Sequence, residues 1–230
     1  MSIFKFSLLR IVRNPLSLLM GIVLPIGFLI IPNMWIEGGR GYYWIAFCIL
    51  LAAFPLTRGL QTDMKDLVVM RIMSTPTTTL KYLFQNLAAC LLPLLVQIAF
   101  VCVFGMIRYD WTVAVTANLA LIYLLFSATA IGFAYAWHFL FKKVTGEGGS
   151  AALVTVMIFS SVFGIMMPID LFEGVAIGAI ARLFPTYWIS TGIDTILYTG
   201  GFDTGLLFPL AILTTFTALF LLYGTKRGAY

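Results

Sequence analysis

Long apolar runs, separated by short polar segments, constrain this sequence more than any other feature. A membrane-spanning helix needs about 20 predominantly apolar residues. Hydrophobic residues make up 61% of the chain and charged residues 10%, whereas about 25% of a soluble domain is charged. The sequence therefore predicts an all-α integral membrane protein with six transmembrane helices. The predicted spans are residues 16–36, 42–60, 84–107, 113–140, 149–169 and 205–224.

Most basic residues lie in the segments on one side of these runs. The positive-inside rule assigns that side to the cytoplasm, so we expect a multi-pass cell-membrane protein with both termini cytoplasmic. The net charge of +5 then reports topology, and we expect no nucleic-acid partner. The basic residues on the predicted inner side are Lys5, Arg10, Arg13, Arg58, Lys65, Arg71, Lys81, Lys142, Lys143, Lys226 and Arg227, and those on the outer side are Arg40, Arg108 and Arg182.

Tryptophan marks the predicted outer boundary of the membrane. Trp35, Trp44, Trp111 and Trp188 all fall at the predicted outer boundary, the first three near the ends of spans and Trp188 in the segment between the last two spans. Tryptophan is enriched where a membrane meets water, so these four residues predict one rim of an aromatic belt.

Residues 1–15 predict an amphipathic interface helix that lies on the inner leaflet. Asn14-Pro15 then breaks this helix and starts the first span, because the residue before a proline disfavours helical geometry. Lys5, Arg10 and Arg13 supply the positive charge of the helix. The apolar face comprises Phe4, Leu8, Ile11 and Val12, and the polar face comprises Ser2, Arg10, Arg13 and Asn14.

Residues 61–76 predict a short cytoplasmic helix between spans two and three. Asp63 can cap this helix, with Asp66 in its first turn opposite the positive end of the helix dipole. Thr75 followed by Pro76 is typical of the cap and first position of the next helix. We therefore expect a short helix held across the cytoplasmic face.

Residues 171–203 are apolar but are interrupted by Arg182, Pro185 and Asp194. One more span here would bury Arg182 or Asp194 in hydrocarbon, at about 2.5 to 3.5 kcal/mol each. It would also move the basic C-terminus outside. We therefore predict a re-entrant helical hairpin between spans five and six, broken at Pro185, that dips into the outer leaflet. Arg182 and Asp194 either form a structural pair or contact substrate.

Small residues recur along the predicted fifth span, including Ala152, Ser160 and Gly164. Small side chains four residues apart allow helix backbones to approach closely. These three residues predict either packing within one subunit or an interface between two subunits.

The interface helix, the six spans, the cytoplasmic helix with its Thr-Pro corner and the outer hairpin together resemble ABC type 2 transporter permeases. The best local matches are RIMSTPTT at residues 71–78 and LFPTYWISTGIDTILYTG at residues 183–200. The resemblance covers essentially the whole chain, so it implies a single transmembrane permease domain over residues 1–230.

The resemblance implies that residues 61–76 are a coupling helix that docks into an ATPase subunit, with the interface helix as a second contact. Two ATPase subunits would pair with this permease and a second copy or a paralogue. The alternative is that the charges of this segment form only a solvated face. The residues expected to couple to the ATPase are Asp63, Lys65, Asp66, Val68, Arg71, Thr75 and Pro76.

The sequence lacks the G-x-x-x-x-G-K-[ST] loop of P-loop ATPases. We therefore expect a translocation subunit that is not itself an enzyme and holds no cofactor, with ATP and magnesium on the partner ATPase. Cys48, Cys90 and Cys102 have no metal-ligand spacing, so no metal site is expected either.

The expected function is ATP-driven export of a hydrophobic or amphipathic molecule, such as a drug, an antimicrobial or toxin peptide, or a lipid-like compound. One alternative is an ion-coupled secondary transporter, which would need ionisable groups near the membrane midplane. The centres of the predicted spans carry no Asp, Glu, Lys or Arg. A second alternative is an ABC permease for a glycan. An intramembrane hydrolase would need a catalytic constellation deep in the spans, and His138 lies at the edge of one.

Overall fold

Helices joined by turns build the part of the protein that the computed structural model describes, which is residues 3–31, 35, 40–65, 79–140, 147–168 and 176–228. The last helix follows a single 3₁₀ turn, Thr204–Leu206. In chain order the helices of these ranges are α1 (Ile3–Arg13), α2 (Pro15–Ile30), α3 (Gly41–Lys65), α4 (Thr79–Arg108), α5 (Val113–Leu140), α6 (Glu147–Val162), α7 (Ala176–Ala181), α8 (Pro185–Thr199) and α9 (Leu207–Gly228).

Four of these helices contain stretches long and apolar enough to cross a membrane: Gly41–Gly59, Phe84–Arg108, Val113–His138 and Thr204–Tyr223. The bent pair α1 and α2 raises the number to 5 if it counts as one span. The prediction of a multi-pass, all-helical membrane protein is thus confirmed. The count of six spans stays a prediction.

The predicted fifth span, residues 149–169, is helical only as far as Val162. Helix α6 has 16 residues, which at 1.5 Å per residue gives roughly 24 Å, short of the roughly 30 Å hydrocarbon core. A turn follows, in which Gly164 has a φ of +98°. This left-handed backbone conformation suits glycine and ends the helix.

The elbow between α1 and α2 lies where the sequence predicts it, at Asn14-Pro15. The two helices are bent by 82°. Asn14 has an extended backbone, and its Oδ1 accepts a hydrogen bond from Leu16 N at 3.0 Å. Pro15 occupies the first position of α2, where its missing N–H costs no helical hydrogen bond.

Helix α5 forms the centre of the bundle and packs against α3, α4, α8 and α9. Its Ile122, Tyr123 and Phe126 are fully buried. Hydrogen bonds join α5 to α3 and α9. Tyr123 Oη donates to Tyr42 O of α3 at 2.8 Å, and Thr129 Oγ1 lies 2.8 Å from Thr217 Oγ1 of α9. In a bilayer, close packing and such bonds hold helices together, since the lipid is as apolar as the helix surfaces.

Helix α3 continues past the predicted end of the second span, as far as Lys65. The prediction that Asp63 caps a separate helix is therefore wrong, because Asp63 lies in the last turn of α3. The other predicted coupling residues, Asp66, Val68, Arg71, Thr75 and Pro76, lie outside the described residues.

The predicted outer segment contains two helices, α7 and α8, with a turn between them. Pro185 is the first residue of α8, and Gly200 ends that helix with a φ of +70°. The break is thus where the sequence predicts it. Penetration of this hairpin into one leaflet stays a prediction.

Candidate functional site

Two clusters of polar contacts lie at opposite ends of α3. The basic-end cluster consists of Ser7, Arg10, Asp63, Tyr82 and Asn86. The aromatic-end cluster consists of Trp35, Arg40, Tyr43, Trp111 and Asp194. Both clusters join helices that are far apart in sequence. Each cluster therefore couples the position of one helix to that of another.

At the basic end, one carboxylate connects three helices. Asp63 Oδ1 accepts a hydrogen bond from Arg10 Nη1 at 2.8 Å, and Asp63 Oδ2 accepts one from Tyr82 Oη at 2.6 Å. Burial, reinforced by the Asp63 carboxylate, raises the pKa of Tyr82 well above its ordinary value. The phenol therefore stays protonated at physiological pH and keeps donating to Asp63.

Further hydrogen bonds hold α1 against the start of α4. Ser7 Oγ donates to Asn86 Oδ1 at 2.6 Å, and Phe4 N donates to Gln85 Oε1 at 3.2 Å. Asn86 Nδ2 in turn donates to Tyr82 O at 3.1 Å. Helix α1 is thus fixed to both α3 and α4, the two helices that residues 66–78 connect.

The two faces of α1 differ from the predicted ones. Arg10, predicted on the polar face of α1, turns toward α3 because it pairs with Asp63. Phe6 and Val12 are instead 59% and 51% exposed, beside exposed Lys5 and Arg13. Exposed apolar side chains bordered by basic ones are typical of a helix lying at a membrane surface.

At the aromatic end, two tryptophans pack inside the protein. Trp35 and Trp111 are each only 8% exposed, with ring centroids 5.6 Å apart. Trp35 Nε1 donates to Phe28 O at 3.0 Å, and Tyr109 Oη donates to Leu29 O at 3.0 Å. Trp35 and Trp111 were predicted to mark one rim of an aromatic belt, and in the structure they pack between the end of α2 and the end of α4.

Arg40 holds the turn that follows α6. Its guanidinium donates to Met166 O at 2.6 Å and Gly164 O at 3.0 Å, and lies 4.9 Å from the Tyr43 ring centroid. These bonds satisfy carbonyl groups that a longer helix would have paired internally. Arg40 therefore stabilises the early end of α6 at Val162.

The small residues of the predicted fifth span have contacts within this chain. Thr186 Oγ1 of α8 donates to Ser160 O. A Cβ on Gly164 would come 2.9 Å from Thr186 O, so glycine permits this close approach. Ala152 is exposed. A role of these three residues at a subunit interface stays a prediction.

The two charged residues of the outer hairpin have different contacts. Asp194 is exposed and accepts a hydrogen bond from Tyr43 Oη of α3. Arg182 is exposed, and its backbone carbonyl accepts from Trp188 Nε1 at 2.8 Å. Asp194 thereby connects the hairpin to α3, and the role of Arg182 and Asp194 as a structural pair or as substrate contacts stays a prediction.

Sequence reasoning missed three residues that the structure brings forward: Arg40, Tyr82 and Gln97. Arg40 and Tyr82 bond partners distant in sequence, so no local pattern could reveal them. Gln97 had a signal, since it is the only amide or charged residue in the apolar run 87–107. It is 3% exposed, and neither polar atom of its side chain has a hydrogen-bond partner within the described ranges.

No group of three or more His, Cys, Asp or Glu side chains that could hold a metal ion occurs in the described part of the chain. Several apolar helices, joined at both ends by polar contacts, define a multi-pass membrane protein. Residues 39–226 match the family model described as ABC-2 family transporter protein. The chain therefore belongs to the ABC-2 transporter family, as an ABC-2 type permease.

The family match confirms the resemblance seen in the sequence. It begins at residue 39, so α1 and α2 precede the matched region. Permeases of this family generally pair with an ATPase subunit. No curated protein matched this chain.

Proposed function

We propose that this chain is the permease subunit of an ATP-driven exporter that moves hydrophobic or amphipathic molecules out of the cytoplasm. ATP and magnesium would bind to a separate ATPase dimer, and a second permease would complete the pathway. Membership of the ABC-2 family supports the role of membrane subunit.

An apolar groove between α5 and α9 carries the proposal for the cargo. Its volume of about 350 Å³ falls within the roughly 300 to 1,000 Å³ of drug-sized sites. A glycan would need many hydrogen-bonding groups, whereas this lining offers mainly apolar and aromatic surface. The lining residues are Phe133, Ala136, Trp137, Leu140, Leu219, Phe220 and Tyr223.

The basic-end cluster supports coupling to an ATPase. Residues 66–78 join α3 to α4, and the Asp63 carboxylate links those two helices to α1. A partner that displaces this segment would therefore move three helices together, because their polar contacts resist independent motion. A loosely held loop would absorb the same displacement.

Transport of a fluorescent amphipathic probe tests the cargo proposal. The permease and its ATPase are reconstituted in vesicles, and Phe133→Ala with Phe220→Ala is compared with the single change Phe84→Ala. Phe84 is 63% exposed and lies outside the groove. We expect the groove variant to raise the KM for the probe about tenfold or more, since each lost aromatic contact removes apolar surface. An unchanged KM would contradict the assignment of the groove to cargo.

A helix-breaking substitution tests the coupling proposal separately. Val68→Pro should leave membrane insertion and probe binding intact while uncoupling ATP hydrolysis from transport, because proline interrupts a helix at a cost of about 3 kcal/mol or more. Wild-type transport by this variant would refute a rigid coupling helix within residues 66–76. The groove variant should keep its normal association with the ATPase.

A further inference from the structure

A second cavity, of about 220 Å³, lies at the basic end between the α1–α2 elbow and the last turns of α3. It is larger than the roughly 30 Å³ of one water molecule and smaller than a drug-sized site. Its size therefore suits a small polar group. The lining residues are Arg10, Ile11, Asn14, Ser17, Pro55, Leu56, Arg58, Gly59 and Thr62.

The charged groups of this lining are both cationic. Arg58 is exposed, and its guanidinium has no hydrogen-bond or ion-pair partner among the residues with described side chains. Arg10 uses Nη1 to bond Asp63, and its guanidinium has no other hydrogen-bond partner among the described residues. Gly59 lets Arg10 lie directly on α3, since a Cβ there would overlap the guanidinium. With Asp63 included, the net charge around the cavity is positive.

Ser17 gives independent support for a ligand. This residue is 2% exposed and lines the cavity, yet its Oγ has no hydrogen-bond partner within the described ranges. The other buried serines of the described residues all have a partner, either on another helix, as Ser7 has in Asn86 Oδ1, or on their own helix, as Ser127 has in Tyr123 O. A buried hydroxyl without a partner is unfavourable, so a ligand oxygen that accepts a hydrogen bond from Ser17 Oγ would stabilise it.

We propose that this cavity binds the phosphate group of an anionic phospholipid from the adjacent leaflet. Guanidinium and hydroxyl donors converge there, and the capped start of α2 adds a partial positive charge. Ile11, Pro55 and Leu56 line the remaining wall, which favours a phosphate attached to an apolar body. The cavity also lies where the stretch of α3 that is apolar enough to cross a membrane ends, at Gly59, which favours a ligand at the headgroup level.

Native mass spectrometry of the purified, delipidated permease tests this proposal. Dissociation constants are measured for phosphatidylglycerol and for zwitterionic phosphatidylcholine. We expect phosphatidylglycerol to bind about tenfold more tightly, a factor equivalent to about 1.4 kcal/mol. Arg58→Gln and Ser17→Ala should each remove most of that preference.

Arg108→Gln is the matched control, because it removes an exposed charge at the far end of α4 without touching the cavity lining. It should preserve the preference for phosphatidylglycerol to within about twofold, as expected for a screened surface charge. Thermal unfolding in detergent verifies that each variant is folded, and Ser17→Ala keeps every charge in place.

Three results would overturn the proposal. Equal affinity for the two lipids would show that no anionic headgroup is selected. Equal losses in Arg108→Gln and Arg58→Gln would show attraction to overall surface charge. Displacement of phosphatidylglycerol by millimolar inorganic phosphate would assign the cavity to free phosphate and would make the lipid assignment wrong.

Discussion

Removing the Tyr82 hydroxyl should weaken the junction of α1, α3 and α4 by an amount that depends on Asp63. Tyr82 is 2% exposed and donates to Asp63 Oδ2 at 2.6 Å. Hydrogen bonds to charged groups contribute about 1.5 to 3 kcal/mol. The Asp63 side chain is 12% exposed and keeps its bond to Arg10, so Tyr82→Phe should cost about 1.5 kcal/mol, the lower end of that range.

Asp63→Ala should cost more, because it leaves a buried phenol without an acceptor. That penalty is about 1 to 3 kcal/mol. The lost ion pair adds at most about 1 kcal/mol, since the Arg10 side chain is 30% exposed and can be hydrated instead. In the double variant no orphaned phenol remains. The combined effect should therefore fall short of the sum of the two single effects by about 1.5 kcal/mol.

Equilibrium unfolding in mixed micelles, followed by tryptophan fluorescence, measures these differences. Tyr198→Phe is the matched control, because Tyr198 is 94% exposed and its change should lie within about 0.5 kcal/mol of zero. If the two single effects at Tyr82 and Asp63 add to within about 0.5 kcal/mol, the carboxylate is not a shared partner and the account of this junction is wrong.

The remaining predictions concern topology, the interior of the bundle and the turn after α6. Cysteines placed at Asp66 and Tyr198, in a background without the native cysteines, should react with an impermeant thiol reagent from opposite sides of the membrane. Gln97→Met should stabilise the protein by up to about 1 to 3 kcal/mol, as measured by unfolding, because the buried amide has no described partner. Arg40→Gln should cost about 1.5 to 3 kcal/mol, since two carbonyls lose a charged donor.

Each of these predictions has a clear contrary outcome. Labelling of both cysteines from the same side would rule out the six-span topology. A loss of stability in Gln97→Met would mean that the amide has a partner in the membrane. A water molecule in the adjacent cavity of about 40 Å³ would be that partner. Unchanged stability in Arg40→Gln would mean that α6 ends at Val162 without help from Arg40.

Local signals in the sequence predicted much of the fold correctly. Asn14-Pro15 predicted the elbow, because an asparagine cap and a proline at the first helical position act within a few residues. Pro185 predicted the break of the outer hairpin in the same way, and it is the first residue of α8. Four apolar runs predicted long helices, since hydropathy and length suffice to identify a spanning segment.

Contacts between distant residues explain where sequence reasoning failed. The run at 149–169 is apolar enough for a span, but Arg40, more than a hundred residues away, caps the turn after Val162. Asp63 is a residue type that often caps helices, but α3 continues as far as Lys65. The Asp63 carboxylate instead bonds Arg10 and Tyr82.

The sequence by itself determined that this chain is an all-helical membrane protein with basic residues concentrated on one side, and it identified the ABC-2 resemblance. Those properties follow from composition and short-range pattern, which each segment carries alone. Only the tertiary structure decided that Asp63 joins three helices, that Trp35 and Trp111 pack inward, and that Arg10, Ser17 and Arg58 border one cavity. Such placements depend on how the helices pack against one another, and side chains brought together from separate helices leave no periodic trace in the sequence.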